Sequence, residues 1–302
     1  MTDTTIETRA YWRDPALGAR RELELPDGTI TIFESGTGHP VVLVHGLVVN
    51  ANLWRAVVPR LAGENHCVTV DLPFGSHARP MPDSDLTPPG LARLVIQALD
   101  ALRLGPVTLV GNDTGGVVCQ LVAIARPDLV AHLVLTSCDA YENFPPTAFG
   151  YLKLLARMPG GVAAIAAGLR IPAVRRLPLA YGWLAKHPLG RAASDSYALP
   201  ATASRGIRAD LRRLLRGLDN RHTLTAARSF AEVKQPVLLA WSQADRFFAP
   251  RYAERMAQDF PDARIEWIPD AYTFSPEDQP DLLSTAIANF VRESQVRGRD
   301  PR

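Results

Sequence analysis

The chain has 302 residues, of which 47% are hydrophobic and 21% charged, enough for one large domain with an insertion or for two domains, and too apolar for a disordered chain. Lys plus Arg number 33 against 31 Asp plus Glu, so no global charge draws the molecule to nucleic acid. Cys67, Cys119 and Cys138 lie far apart without a CxxC pair, which excludes a disulfide framework or zinc site and fits a reduced, cytoplasmic setting.

Met1 to Gly18 carries two acids in its first six residues and no apolar core of a secretory signal. The longest apolar runs, Val41 to Val49 and Gly161 to Leu169, fall well short of the ~20 residues that span a bilayer. No membrane partner is therefore expected. Strand runs follow at Thr29 to Phe33, Val41 to Val44, Cys67 to Val70, Val107 to Val110 and Leu133 to Thr136, and continuous apolar runs suit a sheet buried on both faces. Between them Thr87 caps a helix with prolines in its first turn and Leu91, Leu94, Val95, Ala98, Leu99 and Leu102 at helical spacing.

From Tyr141 to His222 the alternation stops, and short helices separated by Pro and Gly replace it. Residues 151–222 hold 13 Lys plus Arg against 3 Asp, so basic charge concentrates there, either on a solvated face or to attract an anionic substrate or partner. The pattern then resumes with a strand at Val237 to Trp241, a helix near Arg251 to Phe260, a strand at Arg264 to Ile268, and a final helix containing Leu282, Leu283, Ala286, Ile287, Phe290 and Val291. Strand and helix alternation of this kind predicts an α/β fold with a mostly parallel sheet covered on both faces.

The strongest chemical signal is Gly111-Asn112-Asp113-Thr114-Gly115-Gly116, placed between a strand and a helix. It has the form Gly-x-nucleophile-x-Gly, a tight turn that lifts one side chain, here Asp113, above the sheet. An Asp capping the following helix would have the same composition. A second turn, His45-Gly46-Leu47, follows the strand at Val41 to Val44. His45 reads as a turn-stabilising residue.

These two turns, with an insertion before the two final strands, resemble the α/β-hydrolase superfamily, from about Arg21 to Val291. The resemblance implies the α/β-hydrolase fold: a mostly parallel eight-stranded sheet, with residues 1–140 and 223–302 as core and 141–222 as an inserted helical lid. It implies an oxyanion hole made by the backbone N–H groups of Leu47 and Thr114. An Asp at the elbow resembles the haloalkane dehalogenase and epoxide hydrolase branches, in which the carboxylate attacks carbon directly and a histidine activates the water that cleaves the resulting ester. Asp245 stands where the superfamily keeps its acid, with Asp139 and Glu142 in reserve after the strand ending near Ser137. The position expected to be histidine is Thr273, whose hydroxyl is no base near neutral pH, and no histidine follows His222.

Among the remaining histidines, His77 follows a strand and lies at the catalytic edge of the sheet, which makes it the candidate surrogate base. His39, His66 and His132 precede strands, and His187 and His222 belong to the insertion. Chloroalkane dehalogenases follow their Asp with a halide-binding Trp, replaced here by Thr114, so a halide substrate is disfavoured. Epoxide hydrolases use lid tyrosines, for which Tyr151, Tyr181, Tyr197 and Tyr141 are available. The expected activity is hydrolysis of a small, largely apolar substrate through an Asp113 ester, without cofactor or metal. The alternatives are a cofactor-free isomerase, cyclase or lyase with Asp113 as base, and a ligand-binding protein that has lost turnover.

Overall fold

The computed structural model describes residues 3–299. Eight strands form one sheet: β1 (Ala19–Leu25), β2 (Gly28–Ser35), β3 (His39–Val44), β4 (Asn65–Asp71), β5 (Val107–Asp113), β6 (Val130–Cys138), β7 (Val237–Ser242) and β8 (Ala263–Ile268). Their spatial order is β1-β2-β4-β3-β5-β6-β7-β8. β2 runs antiparallel to both β1 and β4, and every other pairing is parallel. This is the α/β-hydrolase fold.

The central strands are buried along their apolar runs, β5 and β7 over their whole length, because helices cover both faces. β1 has no such run. Its sequence, Ala-Arg-Arg-Glu-Leu-Glu-Leu, is exposed over its first four residues, as an edge strand carrying charge should be. The helix Pro88–Leu102 starts as its sequence predicts: Thr87 Oγ1 accepts from the Gly90 N–H, and Leu91, Leu94, Val95, Ala98 and Leu99 are buried. The final helix, Pro280–Arg299, turns Leu283, Ile287 and Phe290 into the core and leaves Leu282 exposed.

Between β6 and β7 the chain forms helices, among them Gly150–Arg157, Gly161–Leu169, Arg191–Ala198, Arg205–Gly217 and Arg221–Ala227, with no strand. The last of these crosses position 222, where the sequence placed the end of the insertion. No helix among the described residues is long and apolar enough to cross a membrane. The three cysteines are free and buried.

In a parallel sheet, loops that leave the carboxyl ends of the strands meet on one edge. Here those loops carry His45 to Leu47 after β3, Asp113 at the end of β5, Asp139 after β6, Asp245 after β7 and Thr273 after β8.

Candidate active site

Asp113 sits at φ 54°, ψ −130°, between β5 and the helix Thr114–Ala125. A non-glycine residue there stores strain of ~1–3 kcal/mol and persists only when its surroundings hold it. They do so by close packing: a Cβ on Gly115 would come within 2.4 Å of the His45 carbonyl oxygen. The Asp113 side chain makes no capping bond to its helix. Its Oδ2 instead accepts from the Leu47 N–H at 2.8 Å, and the adjacent Thr114 N–H also favours the ionised carboxyl. Gly46 allows this approach, since a Cβ at that position would lie 2.2 Å from Oδ2. Val48 is held at φ 54°, a conformation a β-branched residue avoids, and Ser137 at φ 29°, so the loop after β3 and the ends of β5 and β6 all hold strained residues.

Asp113 is 8% exposed, and burial, with the charge of Asp245 added, raises its pKa to about 7 against the pull of the two N–H bonds. Asp139 lies beside it. Its Oδ2 accepts from Thr114 Oγ1 at 3.1 Å, its backbone carbonyl accepts from Gln120 Nε2, and its Oδ1 is buried without a partner. Burial and the nearby Asp113 charge push the Asp139 pKa well above the usual carboxylate range. Two buried acids this close titrate as a pair, each raising the pKa of the other.

Asp245 serves a turn and a contact at once. Its Oδ1 accepts from the N–H groups of Phe247 and Phe248, both at 2.8 Å, and from Thr273 Oγ1 at 3.2 Å. Its Oδ2 is buried without a partner, and burial raises its pKa to about 6. Thr273 is fully buried, and its carbonyl accepts from Asn112 Nδ2 at 2.8 Å, which ties the loop after β8 to the residue preceding Asp113. The residue in the expected histidine position is thus joined to the expected acid, as a hydroxyl.

Asp113, Thr114, Asp139 and Leu47 form the floor of a cavity of about 460 Å³. Its walls come from the helical segment, with Phe149, Leu152, Leu155, Ile165, Leu169 and Leu184 among them. Among the described residues no His, Lys or Arg borders it. Tyr151 and Tyr181 do, but their hydroxyls donate to the carbonyls of Leu179 and Val48. Tyr141 bonds Asp259 and Tyr197 bonds Glu277, away from the cavity.

Two sequence candidates are not brought to the site. His77 is buried in a separate contact: its Nε2 donates to Asp210 Oδ2 at 3.1 Å and its Nδ1 accepts from the Gly75 N–H, which leaves neither nitrogen for a water. The loop is at the right edge of the sheet, but the Asp210 carboxylate on the helix Arg205–Gly217 holds the ring elsewhere. Glu142 is exposed and paired with Arg255 at 3.2 Å. His45 is the turn residue expected of it, donating through Nδ1 to the Gly46 carbonyl and accepting through Nε2 from the Leu72 N–H, with burial lowering its pKa to about 4. Sequence reasoning missed Gln120, whose signal is one amide among apolar residues on a buried helix.

The family model of the α/β-hydrolase fold matches residues 39–280. An uncharacterised hydrolase, YugF, of Bacillus subtilis is 25% identical over 262 residues, covering 83% of this chain and 89% of its own length. Haloalkane dehalogenase 2 of Mycobacterium tuberculosis is 26% identical over 265 residues, covering 86% and 90%. Among solved structures, haloalkane dehalogenase DbeA from Bradyrhizobium elkani superposes with a TM-score of 0.77 at 20% identity, over 92% of this chain and 99% of that one.

Proposed function

The chain belongs to the α/β-hydrolase fold family, and from that membership we propose a hydrolase in which the Asp113 carboxylate attacks a carbon of a small, uncharged, largely apolar substrate. The observation that carries this reading is the pair Asp113 and Asp139 on the floor of one apolar cavity, with Asp139 Oδ1 buried and unpartnered; the proposed resting state places the proton of the pair on Asp139, whose pKa burial raises. The Leu47 N–H holds Asp113 Oδ2, and the other oxygen, Oδ1, is the one we assign to the attack.

Asp139 then fills the part for which no imidazole is present. As the carbon–oxygen bond of the substrate breaks, its proton passes to the departing oxygen, which favours an epoxide over a halide. The Asp139 carboxylate left behind faces the new Asp113 ester and takes a proton from the attacking water. The oxyanion formed on the ester oxygen points at the Leu47 and Thr114 N–H groups. As that intermediate collapses, the bond between the Asp113 carboxyl carbon and the substrate oxygen breaks and the hydroxyl proton of the intermediate passes to the leaving alkoxide, which releases the alcohol and returns Asp113 ionised and Asp139 protonated, as at the start. One group acting first as acid and then as base follows the logic of two-step retaining hydrolases. Neutral walls without a cation suit an uncharged substrate.

A single turnover of styrene oxide in oxygen-18 water tests this. The label should enter the Asp113 peptide while the diol carries one unlabelled oxygen from the enzyme, and Asp113→Asn should form no product. Label in the diol with none in Asp113 would mean direct attack by water.

A second reading keeps Asp113 as a base, moving a proton in an isomerisation or elimination, and the pKa near 7 favours it. It calls for solvent deuterium in the product and no oxygen label in the protein.

A further inference from the structure

The helical segment that walls the cavity has a surface unlike the rest of the molecule. From Asn143 to Ser194 there are seven Lys or Arg and no Asp or Glu. Three of the arginines, Arg157, Arg170 and Arg176, are exposed and make no ion pair among the described residues. Each is followed in the chain by an exposed apolar side chain: Met158 (49% exposed), Ile171 (53%) and Leu177 (54%). Of the nine large hydrophobic residues that stand out in solvent among the described residues, Leu154, Leu179 and Trp183 also belong to this segment, six in all. Single exposed leucines need no explanation, but six large exposed apolar side chains within residues 154–183, three of them each next to an unpaired arginine, mark this segment as a binding surface.

The same surface is where the cavity opens. Leu177 and Leu179 are both about half exposed and both line the cavity above Asp113. An apolar molecule entering between them passes from whatever covers these residues straight to the site.

We infer that this face rests on an anionic lipid bilayer. The charge decides the occupant: unpaired guanidinium groups meet lipid phosphates while the adjoining Met, Ile and Leu side chains enter the headgroup and acyl boundary, the arrangement of proteins that lie on a membrane without spanning it. Such contact differs from the transmembrane run whose absence led the sequence to predict no membrane partner. It also gives a water-avoiding substrate a path into the cavity, whichever reaction Asp113 performs.

Cosedimentation of the full-length protein with vesicles tests the inference. Vesicles of phosphatidylcholine containing phosphatidylglycerol should bind the protein, vesicles of phosphatidylcholine alone should bind it weakly, and added salt should release it. Arg157→Gln, Arg170→Gln and Arg176→Gln should each lower the partition coefficient roughly fivefold, as expected for loss of one cation near an anionic surface. Ile171→Asp and Met158→Asp, exposed positions outside the cavity lining, should do the same while the circular dichroism and melting temperature stay those of the parent. Equal binding to both kinds of vesicle, or to neither, would overturn the inference. So would a stable dimer by analytical ultracentrifugation that the arginine variants convert to monomer, since a second copy would then cover the face.

Discussion

Replacing Asp113 by Asn offers a quantitative check on the electrostatics of the site. In the unfolded chain the carboxyl titrates near 3.8, and in the fold burial lifts it to about 7. A carboxyl with a raised pKa binds its proton more tightly in the folded state, so its contribution to stability is complete below pH 3.8 and is lost as the pH rises to about 7. At 1.36 kcal/mol per unit, the loss is on the order of 4 kcal/mol. Asn keeps an oxygen to accept from the Leu47 N–H and tolerates the positive φ of the turn, so the turn itself is preserved. The variant should therefore match the parent near pH 4 and exceed it by several kcal/mol near pH 8, measured by urea denaturation followed through tryptophan fluorescence. Parallel stability curves for the two proteins across this range would refute the claim that the ionised carboxylate is held at a cost.

Thr273→His places an imidazole against Asp245 where Thr273 Oγ1 now lies at 3.2 Å. It should raise the rate of ester release from Asp113, read as faster loss of the mass adduct left by styrene oxide, and overpacking a fully buried site should cost ~1–3 kcal/mol of stability. Gly46→Ala puts a methyl 2.2 Å from Asp113 Oδ2 and should reduce kcat at least tenfold, checked by steady-state kinetics. His77→Gln, which breaks the contact with Asp210, should lower the melting temperature and leave the pH profile of kcat/KM unmoved; a shifted profile would return His77 to the mechanism. Asp139→Asn, which removes both the acid and the base of the cycle, should slow alkylation of Asp113 by styrene oxide as well as release of the ester, seen in the intact mass as an adduct that forms slowly and then persists; formation and loss at the parent rates would remove Asp139 from the mechanism.

What could be read from the sequence depended on how local its cause is. The central strands announce themselves because a strand buried on both faces must be apolar along its length, as β5 and β7 are. β1 has charged residues at most positions because an edge strand needs only a hydrogen-bonding partner, and its one short alternation, Glu22-Leu23-Glu24-Leu25, is no continuous apolar run. The elbow at Asp113 was legible because glycine spacing encodes a close approach between backbones. The fates of His77, Glu142 and Asp139 were not, because each depends on a residue distant in the chain. His77 is held by Asp210, 133 residues away, and Glu142 by Arg255. Asp139 was marked only as a spare triad acid, since the direction of a side chain after β6 follows from where Thr114 and Gln120 stand.

The cavity takes its floor and its walls from different stretches of chain, and this separation governs how the protein can change. The floor is bound by strain, backbone contacts and buried carboxyls that answer to one another across β3, β5 and β6. The walls are side chains of one contiguous run between β6 and β7, and most of their neighbours are also in that run. Substitutions or length changes there can alter the size and shape of an acceptable guest while the reacting carboxyl keeps its position. Swapping that run between related proteins should accordingly transfer preference for a guest without transferring the chemistry.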